Sequence, residues 1–533
     1  DKSKLAGYHN YLQLLGFVEG ICKDNDAIYN FFQMDFSDLK RFANVYLSES
    51  IQNKKIISLG VPTINMSYQS GMMDVFIEDS MFSDRELEEI IKALRHKRKY
   101  VILKDDRIVD LNDDNAYMFE NIVDDMHLDI KNLSEPQPMP LYQVLNAYAI
   151  KNNVKMDEYL SNMIDNISGF KSADIKLPDI NANLRQYQKE GYYWLSILTS
   201  YHLGGILADD MGLGKTLQII TLIASNDCKM PSLIVCPKSL IFNWLNEFHK
   251  FAPNIRVVGV HGNQVLREEI IKGINLNENV VYITSYDSIR SDISLYNNLK
   301  FNFIILDEAQ YIKNSQALKS ISVKQLDGAN RFALTGTPIE NNILDLWSIF
   351  DFIMPGYFEE VSTFKSRYQS EESYSDRILK KISPFILRRT KENVLSDLPS
   401  KYERIVSAEM TKEQRKLYDA HRKIAKDALI AGGKAFDMLP ILTRLRQICV
   451  DPAMFVESYE GQSGKLELFY DMVDEYISNG HRILVFSQFV KCLEDVEVVL
   501  NKKNIKYLKI TGQTSASDRV SYANLFNNDD SIS

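Results

Sequence analysis

The sequence lacks the features that identify disulfide-rich, zinc-binding, membrane and secreted proteins. Its five cysteines are odd in number and far apart, with no Cys-x-x-Cys pair and no Cys/His zinc spacing. Neither a disulfide framework nor a structural zinc site is therefore predicted. No apolar run approaches the length of a membrane span, and the amino-terminal stretch lacks the order of a signal peptide. We expect a cytoplasmic protein with reduced thiols and no membrane partner.

An excess of basic residues is also missing. Lys and Arg number 62 against 71 Asp and Glu, and the formal net charge is −9. Any contact with nucleic acid must then come from a local groove and not from a generally basic surface. The sequence contains no repeat and no low-complexity tract. Its 533 residues, of which 45% are hydrophobic, predict about three or four globular domains.

The first third of the chain has a mixed hydrophobic pattern. Alternation at 64–68 and in the hairpin-like stretch 100–111 predicts strands. Between them, Ser83 and Glu86 have the spacing of a capping box at the start of a helix. We interpret residues 1–175 as an α+β accessory domain.

Beyond this domain, short apolar runs alternate with segments of helix length. Because the runs are apolar throughout, they predict strands of a parallel sheet that are buried on both faces. These runs are 205–207, 233–236, 257–260, 280–284, 303–306 and 332–334. Helical patterns then dominate until two further strands are predicted at 483–486 and 507–510. The expected fold is α/β, with a complete lobe at 176–395 and a linker, a helical region and part of a second lobe at 396–533.

A phosphate-binding loop is predicted after the first of these strands. Its glycines and the helix that follows bring backbone N–H groups toward triphosphate oxygens. Lys215 would reach the β and γ phosphates, and the Thr216 hydroxyl would bind Mg²⁺. Asp209 stands where the strict pattern has its first glycine, so a glycine-rich helix cap is the alternative. The loop residues expected to bind ATP are Asp210, Met211, Gly212, Leu213, Gly214, Lys215 and Thr216.

Two carboxylates directly follow the run at 303–306. Ligands of parallel sheets gather at the carboxyl ends of the strands, which is where Asp307 and Glu308 stand. We expect Asp307 to hold Mg²⁺ and Glu308 to orient or deprotonate the attacking water. A solvated strand end is the alternative for the pair taken alone, and the upstream loop makes that alternative the weaker one.

Polar residues flank both motifs. Thr335 and Thr337 follow the next strand. Their hydroxyls are predicted to transmit the state of the γ phosphate away from the ATP site, and a simple turn is the alternative. Upstream, Arg185 and Gln188 precede the first strand, and both are expected to bind ATP. The Gln188 amide has the donor and acceptor that an adenine edge requires, and its alternative is a residue on a helix surface.

Taken in order, these segments resemble the motifs of helicase superfamily two and, within it, the Swi/Snf family of remodelling ATPases. The resemblance extends from about residue 183 to the end of the sequence. The Asp-Glu-Ala-Gln spelling at 307–310 resembles a bacterial version, and residues 1–175 resemble the helicase-associated domain of bacterial relatives. The segments that carry it include 210–216, 236–240, 284–287, 335–342, 384–390, 445–449 and 483–489.

The resemblance implies two RecA-like lobes that use ATP and Mg²⁺ to move along double-stranded DNA in the bacterial cytosol or nucleoid. Bound protein, such as the transcription machinery, would be displaced or repositioned. Gln310 joins Lys215, Asp307 and Glu308 as a catalytic residue, and we expect a monomer. Small polar groups and a lysine would contact the phosphate backbone, namely Lys238, Ser285, Asn314, Gln488 and Thr511.

The family's later motifs, which supply arginines to the γ phosphate, do not occur before Ser533. Such an arginine contributes about 10³ to 10⁵ in rate, so we expect these residues to bind ATP and to hydrolyse it weakly. Two alternatives stay open. One is an ATP-gated nucleic-acid-binding or partner-binding module without efficient hydrolysis, and the other is a remodeller directed at RNA.

Overall fold

The structure, a computed structural model, divides into two compact units. The first comprises Asp1–Pro237 with Glu247–Val394, and the second comprises Lys238–Asn246 with Leu395–Ser533. None of the helices in the described parts of the chain combines the length and the apolar character that crossing a bilayer requires. The residues described are 12–13, 17–18, 21–22, 25–33, 46, 56–60, 62–69, 72–78, 81–105, 107–144, 154–169, 175–336, 343–370, 374–394, 403–430, 435–456, 459 and 461–533.

The elements are numbered here in chain order. The strands β1 to β14 are Ile56–Ser58, Thr63–Gln69, Met72–Glu78, Tyr100–Ile102, Ile108–Asp110, Gln137–Met139, Val154–Met156, Gly205–Leu207, Ser232–Cys236, Arg256–Gly259, Val280–Ser285, Lys300–Leu306, Asp327–Leu334 and Ile386–Leu387. The helices α1 to α19 are Asn25–Gln33, Asp84–Arg95, Asp114–Asp125, Glu158–Gly169, Gln186–Ser200, Lys215–Ala224, Ile241–Phe251, Gln264–Lys272, Tyr286–Asp292, Leu318–Lys324, Ile343–Ile353, Val361–Ser370, Tyr374–Ile382, Lys391–Val394, Lys412–Ile430, Ala435–Val450, Gly464–Ser478, Val490–Lys502 and Ala516–Asn528.

The amino-terminal part of the first unit has the predicted α+β character. One sheet has the order β6-β3-β2-β7, and a smaller one has the order β1-β5-β4, in which β4 and β5 form the predicted antiparallel pair. The capping box is present, since the backbone N–H of Ser83 donates to Glu86 Oε2 at 2.8 Å. Helix α2 packs on β4 and α3. Its buried apolar residues are Leu87, Ile90, Ile91, Ala93 and Leu94.

The main sheet of the first unit is parallel throughout. Its strand order is β10-β11-β9-β12-β13-β8-β14. The six predicted runs coincide with β8 to β13, and the side chains of β9, β11 and most of β12 are buried. Because all strands point the same way, their carboxyl ends share one edge. The predicted fold class, a RecA-like parallel-sheet lobe preceded by an α+β domain, is confirmed.

The second unit is helical in the residues described. Helix α15 packs on α16 through Gln414, whose Nε2 donates to the carbonyl of Ile448 at 2.6 Å. The strands predicted at 483–486 and 507–510 are wrong, because neither segment pairs with another in the described part of the chain. A strand needs a partner for its backbone N–H and C=O groups, and apolar character alone does not supply one.

Candidate functional site

The predicted phosphate loop lies between β8 and α6. Gly212 and Gly214 have φ angles of 87° and 80°, in the left-handed region that favours glycine. Gly214 is the N-cap of α6, which begins at Lys215, and Leu213 between the glycines is fully buried. The loop therefore turns sharply and presents the first backbone N–H groups of a helix, which is where anions bind.

The side chain of Lys215 contacts the backbone of the phosphate loop. Its Nζ donates to the main-chain oxygen of Asp209 at 2.6 Å. Burial lowers the pKa of the ammonium from its usual value of 10.5, and the negative charges of Glu308, Asp209 and Asp307 oppose this shift. The cation thus shares one electrostatic environment with the two carboxylates that follow β12, as the prediction of a joint site requires.

The backbone of the turn after β12 is fixed by several hydrogen bonds. The Asp307 N–H donates to the carbonyl of Val235 at 2.8 Å, and the Tyr286 hydroxyl donates to the carbonyl of Asp307 at 2.7 Å. Asp307 Oδ1 accepts the N–H of Glu308 at 2.9 Å. Glu308 has a φ of 52°, which costs free energy in a residue other than glycine. Such strain persists where the surroundings fix the backbone, and here it sets the direction of the Glu308 side chain.

A chain of hydrogen bonds joins this turn to the strand that carries the phosphate loop. Thr335 follows β13, which lies between β12 and β8. Its N–H donates to the carbonyl of Leu207 at 3.3 Å, and its hydroxyl donates to Gln310 Oε1 at 3.1 Å. Gln310 Nε2 in turn donates to Glu308 Oε2 at 2.6 Å. Three of the predicted residues are thus linked in one network, while Thr337 lies outside the described residues.

The donor set fits Mg²⁺ that arrives with a triphosphate. Within the residues the structure describes, no group of three or more His, Cys, Asp and Glu side chains could hold a metal alone. Mg²⁺ usually takes one or two carboxylates and completes its octahedron with phosphate oxygens and water. Asp307 and the Thr216 hydroxyl offer hard oxygen ligands of this kind.

Gln188 occupies a different environment from the helix surface considered above. It is buried, its Oε1 accepts the backbone N–H of Arg185 at 2.9 Å, and its Nε2 donates to the carbonyl of Leu213 at 3.2 Å. The amide therefore braces the phosphate loop. One N–H and one oxygen lone pair remain for an adenine edge, so that role stays a prediction.

The residues predicted to contact nucleic acid are placed in several ways. Lys238 and Asn314 are exposed. Ser285 is buried, and its hydroxyl accepts the N–H of Ser288 at 3.2 Å as the N-cap of α9, so this oxygen already has a structural partner. In the second unit, Gln488 is exposed and Thr511 is half-buried.

Two site residues were missed as such in the sequence. Asp209, noted there only as a departure from the loop pattern, is fully buried beneath the loop. Arg389, which was included above only within the segment 384–390, donates from Nε to Asp209 Oδ1 at 2.9 Å and from Nη2 to Asp209 Oδ2 at 2.5 Å. The available signal was the aspartate in the place of a glycine.

Three families match successive parts of the chain. They are the bacterial SNF2 helicase-associated domain over residues 9–178, the SNF2-related domain over 187–454 and the helicase conserved C-terminal domain over 464–532.

Several known proteins are similar to this one. An uncharacterized ATP-dependent helicase of Mycoplasma genitalium is 30% identical over 520 residues, which cover 93% of this chain and 48% of the relative. The TATA-binding protein-associated factor MOT1 of Saccharomyces cerevisiae is 34% identical, over 68% of this chain and 24% of that protein. The chain thus spans about half of the first relative and about a quarter of the second.

Among solved structures, the Sulfolobus solfataricus SWI2/SNF2 ATPase core in complex with dsDNA is 33% identical, with a TM-score of 0.41, and the match covers 67% of this chain and 78% of that one. The SNF2-related domain family accounts for residues 187–454 of 533. With the loop, the carboxylate pair and the bacterial associated domain in the family's order, the protein belongs to the SNF2 family of helicase-related ATPases.

Proposed function

We propose that this protein hydrolyses ATP to move along double-stranded DNA and so displaces or repositions bound protein. The observation that carries the proposal is the network that joins Glu308 to Gln310, Thr335 and the carbonyl of Leu207. It connects the residue placed to act on water with the strand that leads into the phosphate loop. A site that only held an anion would need the loop alone.

Each side chain has a task that its position supports. Lys215 stabilises negative charge on the β and γ phosphates, and the backbone N–H groups at the start of α6 bind phosphate oxygens. Asp307 and Thr216 would hold Mg²⁺, which neutralises the charge that develops on the phosphates. Glu308 orients the attacking water or takes its proton, and Gln310 fixes the carboxylate that does so.

Duplex DNA is the proposed track. The family supports it, and the Sulfolobus solfataricus ATPase core was solved with dsDNA. Since the MOT1 relative is a factor associated with the TATA-binding protein, a DNA-bound protein is the proposed target, in the bacterial cytosol or nucleoid. We further propose that the protein acts as a monomer, and that residues 1–533 by themselves turn ATP over slowly.

The test measures ATP hydrolysis by the chain with duplex DNA, single-stranded DNA and RNA of equal length. Duplex DNA should stimulate turnover most, and the stimulation should fall steeply with salt because phosphate contacts release counterions. Equal stimulation by RNA would support the RNA-directed alternative. ATP binding without turnover under all three conditions would contradict the proposal and favour an ATP-gated module.

A further inference from the structure

The ion pair under the phosphate loop joins a buried carboxylate to a largely buried guanidinium. Asp209 is 0% exposed, and the Arg389 guanidinium grips it with two parallel hydrogen bonds. Gln218, on α6, donates from Nε2 to Asp209 Oδ2 at 3.1 Å and accepts from Arg389 Nη2 at 2.9 Å. Arg389 Nη1 also donates to the carbonyl of Tyr187. Such bidentate pairs fix geometry as well as charge.

The backbone around Arg389 follows the loop residue by residue. β14 pairs with β8, and the N–H of Ala208 donates to the carbonyl of Leu387 at 2.7 Å. The N–H of Asp210 donates to the carbonyl of Arg389 at 3.0 Å, and the Asp210 carboxylate accepts the N–H of Lys391 at 3.0 Å. Leu387, Arg389 and Lys391 therefore line the loop through their backbone groups, shortly before the first unit ends at Val394.

Helix α5 packs closely against this ion pair at Gly191. A Cβ placed on Gly191 would lie 1.8 Å from Gln218 Oε1 and 2.7 Å from Arg389 Nη2. A side chain at position 191 would therefore displace the ends of the Gln218 and Arg389 side chains from their present positions. The sequence thus has an aspartate, an arginine, a glutamine and a glycine whose side chains, or lack of one, meet at a single point beneath the loop.

We propose that Arg389 is a positioning residue for nucleotide binding, which sets the shape of the phosphate loop through Asp209 and links that loop to the segment by which the chain leaves the first unit. This inference rests on the proposed nucleotide site. With its charge neutralised by Arg389, the Asp209 carboxylate does not compete with phosphate for Lys215, whose Nζ donates to the Asp209 carbonyl. A change of the loop on nucleotide binding is passed to residues 386–394 through the same bonds.

The experiment measures the affinity of the 533-residue chain for Mg-ATP by isothermal titration calorimetry. Arg389→Met leaves a buried carboxylate unpaired and destabilises the fold, so the informative variant is Asp209→Asn/Arg389→Met, which removes both charges. It should fold and bind Mg-ATP about 10²-fold more weakly, because the loop is no longer held in place. Arg389→Lys, which cannot grip both oxygens, should lie between the double variant and the wild type.

Arg388→Met is the matched control, since Arg388 is exposed and next in sequence. It should bind Mg-ATP like the wild type. Hydrogen exchange adds a readout that a merely structural role would not change. Mg-ATP should slow amide exchange in residues 386–394 of the wild type, and this response should be lost in Arg389→Lys.

The inference would be overturned if the folded double variant bound Mg-ATP with wild-type affinity. It would also be overturned if Mg-ATP did not change amide exchange in residues 386–394 of the wild type. A Lys215→Ala variant distinguishes a failure of the proposed role of Arg389 from a failure of the proposed nucleotide site. If it loses Mg-ATP binding while the double variant keeps it, only the role of Arg389 fails. If Lys215→Ala binds as the wild type does, the nucleotide site itself is misplaced, and the inference fails with it.

Discussion

Phe303 and Phe486 show how the two units differ. Phe303 lies in β12 of the first unit and is 0% exposed, whereas Phe486 lies in an unpaired segment of the second unit and is 88% exposed. The carboxyl ends of β8, β12 and β13 hold the phosphate loop, the acidic pair and Thr335 in fixed relation. Gln488 and Thr511 follow segments that no strand partner fixes in the described part of the chain. Hydrogen bonding between neighbouring strands therefore fixes the positions of the functional residues at the strand ends.

The largest expected effect concerns the chemistry that the paired strands support. Glu308→Gln should lower the rate of ATP hydrolysis by about 10² to 10⁴ because it removes the proposed base, while Mg-ATP binding is kept. Single-turnover hydrolysis together with calorimetric binding measures both. Leu484→Ala, in the exposed segment of the second unit, is the control and should hydrolyse ATP at the wild-type rate. Equal rates in Glu308→Gln and the wild type would remove Glu308 from the mechanism.

The next effect is on stability. Phe303→Ala should lower the free energy of unfolding of the first unit by about 3 to 5 kcal/mol, because it opens a cavity against a buried face of the sheet. Phe486→Ala should change stability by less than about 0.5 kcal/mol, since the ring is solvated in this structure. Urea unfolding followed by hydrogen exchange assigns each transition to its unit. A large loss of stability in Phe486→Ala would show that this segment is buried in solution and that the two units do not differ in this respect.

The smallest effect tests the network between strands. Thr335→Val keeps the shape of the side chain and removes the hydroxyl that donates to Gln310. One net hydrogen bond is worth about 1 kcal/mol, so hydrolysis should slow by roughly five- to tenfold with little change in Mg-ATP affinity. Steady-state kinetics measures the two separately. A change confined to affinity would mean that Thr335 serves binding and not coupling.

Much of the first unit could be predicted because its signals are local. Runs such as 233–236 are apolar throughout, and Gly212 and Gly214 occur where the loop needs left-handed backbone. The partner of Asp209 could not be predicted, because it lies 180 residues away and nothing in the local pattern names it. The strands expected at 483–486 and 507–510 failed for a related reason, since a strand depends on distant neighbours.

Ser285 and Gln188 illustrate the same limit at the level of single groups. Each is an uncharged polar residue that the sequence leaves open to a ligand, and in the structure each one has backbone partners, at the start of α9 and beneath the phosphate loop. Sequence patterns give the type of group available at a position. Which of its hydrogen bonds are already made depends on the packed fold.

Calorimetric titration of the 533-residue chain with Mg-ATP shows whether the phosphate loop binds the nucleotide. We expect one site in the wild type and, in Lys215→Ala, affinity lower by about 10- to 100-fold, because a charged hydrogen bond to phosphate is lost. Circular dichroism should show the variant to be folded. Folded Lys215→Ala that binds Mg-ATP as tightly as the wild type would show that the nucleotide does not bind at this loop.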